Sequence, residues 1–198
     1  LHAVCTGTIA RSGYEIRKIV FQSLPGVYVT ANLYVPDRPD DAPLPAVLFA
    51  CGHTEAAKAA PRYQKVCIDL ARNGIVALAV DPISQGERMQ GFDPALGRTH
   101  VRWHAEHTYL GLQCELAGRH IIHYFVWDLI RSVDYLCELG FVDAAKIGMT
   151  GNSGGGIQTL FAMIAEERIA AAAPCTYITA REDYMKTGQP QDGEQILD

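Results

Sequence analysis

The chain has 198 residues, 48% of them hydrophobic and 20% charged, with a formal net charge of −5. That length and composition predict a single globular domain over residues 1–198 with a core of its own, and exclude a disordered or fibrous chain. An acidic balance (pI about 5.8) without any Lys/Arg run excludes a nucleic-acid surface, and no apolar run is long enough to span a bilayer.

Residues 4–9, 14–21 and 27–35 read as antiparallel strands, punctuated by Ser12-Gly13 and Pro25-Gly26. The third alternates cleanly, with Val27, Val29, Ala31, Leu33 and Val35 on one face and Tyr28, Thr30, Asn32 and Tyr34 on the other. A polar, proline-rich loop follows over 36–45. The apolar run 46–50 then predicts a strand buried on both faces, and it leads straight into Cys51-Gly52-His53-Thr54.

A helix is predicted over 61–72, with Pro61 in its first turn and Asn73-Gly74 as its stop. Residues 75–80 form a second buried strand ending at Asp81-Pro82. Residues 84–118 show no clear periodicity and read as a long functional loop or lid. A long amphipathic helix spans 121–139, and Tyr124, Phe125, Trp127 and Tyr135 on it are assigned to the core. Buried strands over 146–150 and 169–173 flank an apolar helix that starts near Ile157. Strands alternating with helices predict an α/β fold, a mostly parallel sheet with helices on both faces and an antiparallel N-terminal edge.

The six cysteines, Cys5, Cys51, Cys67, Cys114, Cys137 and Cys175, form no C-x-x-C pair and sit mostly in apolar runs. Unbridged thiols are therefore expected. This leans towards the cytoplasm; because the sequence opens on Leu1, a secreted or periplasmic origin stays open.

The chemistry concentrates at Gly151-Asn152-Ser153-Gly154-Gly155-Gly156. This is a G-x-S-x-G turn between a predicted strand and a predicted helix, the context of a nucleophile elbow. A serine projected from such a turn has a strained backbone with φ > 0, and only residues without Cβ let strand and helix approach so closely. Gly154 offers a backbone N–H beside the serine oxygen, at the positive end of the helix dipole. There is no G-x-x-x-x-G-K-[ST], and no acidic ribose partner stands where a dinucleotide fold needs one.

The order of edge hairpin, strand, C-G-H turn, helix, a strand ending in Asp81-Pro82-Ile83-Ser84-Gln85-Gly86-Glu87-Arg88, long helix, and G-N-S-G-G-G resembles the α/β-hydrolase superfamily. It is most similar to the acetyl-xylan-esterase-like and dienelactone-hydrolase-like branch. Ser84 stands where that branch has glycine. The resemblance implies a serine carboxylic-ester hydrolase acting on small acyl (acetyl) esters, some of them of carbohydrate, through an acyl-enzyme on Ser153. It implies oxyanion donors at Gly154 and at the backbone of His53, and no cofactor. The superfamily's acid and histidine follow the serine in chain order, whereas all seven histidines here precede Ser153. The expectation is therefore a C-terminally incomplete domain, with later strands, acid and base outside these residues and little turnover from the chain alone.

Among the upstream histidines, His53 is the candidate substitute base. Glu182 and Asp183, after the last strand, are candidate acids. Trp103 and His107 are candidate pocket residues. His100, His104, Glu106 and His107 have helical spacing, but the flanking residues predict no firm helix there, so no metal is expected. Glu87 and Arg88 are expected to pair and hold the turn after Asp81. Two other readings stay open: a peptidase of the prolyl-oligopeptidase type, though nothing predicts the propeller domain of that family, and an inert hydrolase fragment that binds without chemistry.

Overall fold

The computed structural model describes residues 1–37, 41–101, 103–188 and 192–195. Strands β1 (Val4–Arg11), β2 (Tyr14–Leu24), β3 (Val27–Pro36), β4 (Leu44–Ala50), β5 (Val76–Val80), β8 (Val142–Asn152) and β9 (Ile169–Cys175) form one sheet in the order β1-β2-β3-β5-β4-β8-β9. The pairs β5/β4, β4/β8 and β8/β9 are parallel, while β1/β2, β2/β3 and β3/β5 are antiparallel. The N-terminal hairpins thus extend one edge of a parallel sheet, as the strand patterns predict.

The two faces of β5 show how the sequence builds the layers. Val76, Leu78 and Val80 join Leu129, Val133 and Leu136 of helix α3 (Ile121–Glu138) in the larger core. Ala77 and Ala79 face the other way, against Tyr63, Cys67 and Ala71 of helix α1 (Pro61–Arg72). Small residues on that side let α1 sit close to the sheet. Burying each large aliphatic side chain on the first side contributes about 1.5–3 kcal/mol.

Residues 84–118 depart from expectation. They hold a two-stranded ribbon, β6 (Phe92–Asp93) with β7 (Arg98–Thr99), and a helix, α2 (Ala105–Leu116). β9 also differs from the predicted buried strand: among the described residues it is the last strand of the sheet, and its residues are half-buried to exposed. On α3, Phe125 and Tyr135 are buried as expected, while Tyr124 and Trp127 are each 39% exposed. Trp127 uses its indole N–H to bind the Ser23 carbonyl at 2.9 Å. No helix among the described residues is long and apolar enough to cross a membrane, and all six cysteines are unbridged.

β4 lies between β5 and β8, so the chain leaves it in one direction and returns on its other side. Open α/β sheets bind ligands at such a switch point, beyond the carboxyl ends of the strands. The turns after β4 and β8 are neighbours there, because Ala50 pairs with Gly151.

Candidate active site

β8 hands over to helix α4 (Gly154–Ala165) at Ser153, whose φ is 57° and ψ −116°. A non-glycine residue at such angles costs of order 1–3 kcal/mol and persists only where its surroundings enforce it. The surroundings do so at both ends. Upstream, a Cβ on Gly151 would lie 2.2 Å from the Gly155 carbonyl oxygen; downstream, one on Gly155 would lie 2.0 Å from the Ala50 carbonyl oxygen. The Ser153 N–H is held by the Cys175 carbonyl and by Thr176 Oγ1, each at 3.0 Å. Thr176 has φ 56°, unusual for a β-branched residue, and donates to Asn152 Oδ1 at 2.8 Å. The end of β9 therefore clasps the elbow, and the Ser153 side chain is left exposed.

The turn after β4 is fixed from beneath. Gln85, fully buried, donates its amide to the carbonyls of Gly52 (3.0 Å) and Thr54 (2.9 Å). In a trans peptide C=O and N–H point in opposite directions, so the His53 N–H is turned away from Gln85. A Cβ on Gly52 would lie 2.0 Å from the Asn152 carbonyl oxygen, which sets this turn directly against the elbow.

Asp81 ties the next turn together. Its buried carboxylate accepts from Thr30 Oγ1 (2.6 Å), the Lys58 N–H (3.1 Å), the Glu87 N–H (3.2 Å) and the Lys58 ammonium. The expected Glu87–Arg88 pair does not form. Glu87 binds Lys58 at 2.5 Å, and Arg88 reaches Asp128 on α3 at 2.7 Å and the Asp81 carbonyl at 3.0 Å. Ser84 has φ 65°, the left-handed conformation that glycine adopts without cost.

Ser153 lines two clefts. One, of about 480 Å³, is walled by Phe49, His53, Tyr63, Val66 and Cys175. The other, of about 580 Å³, is walled by Thr176, Tyr177, Asp183, Tyr184, Thr187 and Gln195.

A model of the prolyl oligopeptidase family matches residues 120–195, well under half of the chain. No curated protein sequence matches significantly. Solved structures do. One is a Bacteroides fragilis protein described as a candidate acetyl xylan esterase, with 21% identity, TM-score 0.71, and coverage of 87% of this chain and 47% of that one. Another is the acetyl xylan esterase of Paenibacillus sp. R4, with 20% identity, TM-score 0.67, and coverage of 96% and 58%. A third is acetyl xylan esterase 1 of Thermoanaerobacterium sp. JW/SL YS485, with 16% identity, TM-score 0.68, and coverage of 98% and 58%.

The fold is that of an α/β-hydrolase. The chain spans about half the length of these acetyl-xylan-esterase-type structures. Within the α/β-hydrolase frame the predicted site residues separate into two groups. Ser153, Gly154 and His53 come together at the switch point. Trp103 lies beside His53, with ring centroids 6.1 Å apart, and lines a cleft of about 530 Å³ with Glu55, Met89 and His100. His107 was expected in the pocket wall but is wholly buried behind it, on α2. Glu182 is exposed; Asp183 lines the larger Ser153 cleft while binding Lys186 at 2.8 Å.

The four-residue cluster weighed from helical spacing is dispersed. His100 is exposed and 3.0 Å from Asp93, and the Glu106 carboxylate accepts the N–H groups of Gln90 (3.0 Å) and Gly91 (2.9 Å). His107 instead meets Asp192, Nδ1 to Oδ1 at 2.9 Å, with its Nε2 2.9 Å from the Ile83 carbonyl. A carbonyl only accepts, so Nε2 is the nitrogen that donates there, and Nδ1 is the one turned to Asp192. No sequence spacing links residues 53, 107 and 192, so this grouping had no signal in the chain.

Proposed function

We propose that the whole protein is a serine carboxylic-ester hydrolase with Ser153 as its nucleophile. The observation that carries this reading is the Ser153 backbone, held at φ 57° between β8 and α4 by glycines that leave no room for a Cβ. Such an elbow thrusts the hydroxyl into solvent above the sheet, at the mouth of two clefts. Gly154, the first residue of α4, has an N–H without an intrahelical acceptor. Together with the His53 N–H it would hold the oxyanion as Ser153 Oγ attacks the ester carbonyl.

An ester has an acyl and an alcohol side, and Ser153 faces a cleft for each. The smaller, with Phe49, Tyr63 and Val66, suits a small acyl group such as acetyl. The larger, with Thr176, Tyr177, Tyr184, Thr187 and Asp183, offers the hydroxyls and carboxylate that suit a carbohydrate alcohol. The acetyl xylan esterase structures support that substrate class. Turnover needs a histidine to take the serine proton; the resemblance puts it after Ser153 in chain order.

A second reading, a serine peptidase, has one observation behind it: the prolyl oligopeptidase family match, which includes the elbow. The test is steady-state hydrolysis of p-nitrophenyl acetate, an acetylated xylo-oligosaccharide and a prolyl peptide amide by the whole protein. The esters are expected to turn over and the peptide not, with Ser153→Ala lowering kcat at least about a thousandfold. Unchanged ester turnover in Ser153→Ala sinks the proposal, and faster peptide cleavage favours the second reading.

A further inference from the structure

We propose that His53, His107 and Asp192 form a binding site for a divalent transition-metal ion of the zinc class. The three come from distant parts of the chain: the turn after β4, helix α2, and residue 192 beyond β9. Each offers one ligand atom, and those atoms all lie within 4.8 Å of one another. Asp192 is central, with Oδ1 2.9 Å from His107 Nδ1 and Oδ2 3.5 Å from His53 Nε2.

The spacing suits a tetrahedral ion. Ligand atoms at about 2.1 Å from a common centre stand roughly 3.4 Å apart. The observed 2.9 and 3.5 Å separations bracket that spacing, and the remaining pair lies within 4.8 Å. The ligand set, two imidazoles and one carboxylate, favours zinc-class ions over magnesium or calcium, which take oxygen ligands.

His107 is also oriented as a ligand. Its Nε2–H is held by the Ile83 carbonyl at 2.9 Å, so Nδ1 is the nitrogen turned to the site. Metal-bound histidines almost always make such an outer contact, which fixes ring and tautomer. The ring is fully buried and packs edge-on to Phe125 with centroids 5.2 Å apart. Asp192 is held too. A Cβ on the neighbouring Gly193 would lie 2.5 Å from the His107 carbonyl oxygen, so the segment 192–195 is seated directly on α2. The His53 and Asp192 side chains are 22% and 12% exposed, so the site lies just beneath the surface.

The ion takes neutral imidazole nitrogens and an ionised carboxylate, so any proton held at these ligand atoms leaves to solvent on binding. The ion would then fasten α2 and the 192–195 segment to the turn that carries the His53 N–H.

The test is zinc titration of the metal-stripped protein, by calorimetry and thermal unfolding, with Co²⁺ absorption as a reporter of coordination. Expected are about one zinc per chain, a Tm rise of about 5–11 °C at a hundredfold excess over Kd, a tetrahedral Co²⁺ spectrum, and no shift with Mg²⁺. Asp192→Ala and His53→Ala each weaken zinc at least about tenfold, whereas His100→Ala, at the surface, leaves affinity unchanged. Should Asp192→Ala fail to fold, the part-exposed His53→Ala still decides. No zinc binding, or stoichiometric binding that survives His53→Ala and Asp192→Ala unchanged, overturns the proposal.

Discussion

Gly155 approaches Ala50 so closely that a Cβ on it would stand 2.0 Å from the Ala50 carbonyl oxygen. Helix α4 therefore begins in direct backbone contact with β4, and β8 reaches the same carbonyl through Gly151, whose Cβ would lie 2.7 Å from it. The serine between these two glycines cannot relax, because both flanks are locked to one carbonyl of the neighbouring strand.

Gly155→Ala is expected to destabilise the fold by about 3 kcal/mol, since backbone on the facing strand would have to move. Gly140→Ala is the control, because a Cβ there meets nothing within 4 Å; it should stay within ~0.5 kcal/mol. Urea unfolding of both variants checks this, and equal midpoints would contradict the packing account.

Ser84→Gly should stabilise the protein. Ser84 is held at φ 65°, and its buried hydroxyl has no hydrogen-bond partner among the described residues. Glycine relieves the strain and removes the unpaired group; the greater freedom of an unfolded glycine offsets part of that. A net gain of about 1 kcal/mol is expected, read as a higher urea midpoint with the same slope; a lower midpoint would refute it.

Gln85→Leu removes the two hydrogen bonds that orient the Cys51–Thr54 turn and strands two carbonyls. A loss of about 1–3 kcal/mol is expected. If the His53 N–H serves the oxyanion, kcat should fall more than KM rises, because the donor is needed most in the transition state. A change confined to KM would speak against that donor.

The acid limb of stability should depend on Glu166. Hydrogen bonds from the Arg168 side chain hold its carboxyl below the ordinary value, against the opposing effect of burial, with the Arg168 N–H helping. A depressed folded value means the stabilisation is present above the unfolded value of about 4.3 and is lost as pH falls through the folded one. Glu166→Gln should therefore lower Tm at neutral pH and flatten its fall from about pH 5 to 3. Parallel Tm–pH curves would exclude the effect.

The sheet and the elbow were legible because their signals are local. Alternation at Val29, Ala31, Leu33 and Val35 marks one face of β3, and all four are buried. The G-x-S-x-G turn carries its own steric logic.

Helix α2 was illegible because its pattern is inverted: Glu106 and His107 face inward, while Tyr109, Leu112 and Leu116 are exposed. A period search for apolar residues finds nothing in such a helix. The Arg88–Asp128 and Lys58–Asp81 pairs escaped for another reason. They join residues 40 and 23 apart, where no spacing rule operates.

The measurement that tests the central claim most directly is fluorophosphonate labelling of the whole protein, with the modified residue located by peptide mass spectrometry. Only an activated serine reacts. The account predicts stoichiometric labelling on the peptide that contains Ser153, abolished in Ser153→Ala. An unlabelled protein that turns over esters, or label on a different serine, would contradict it.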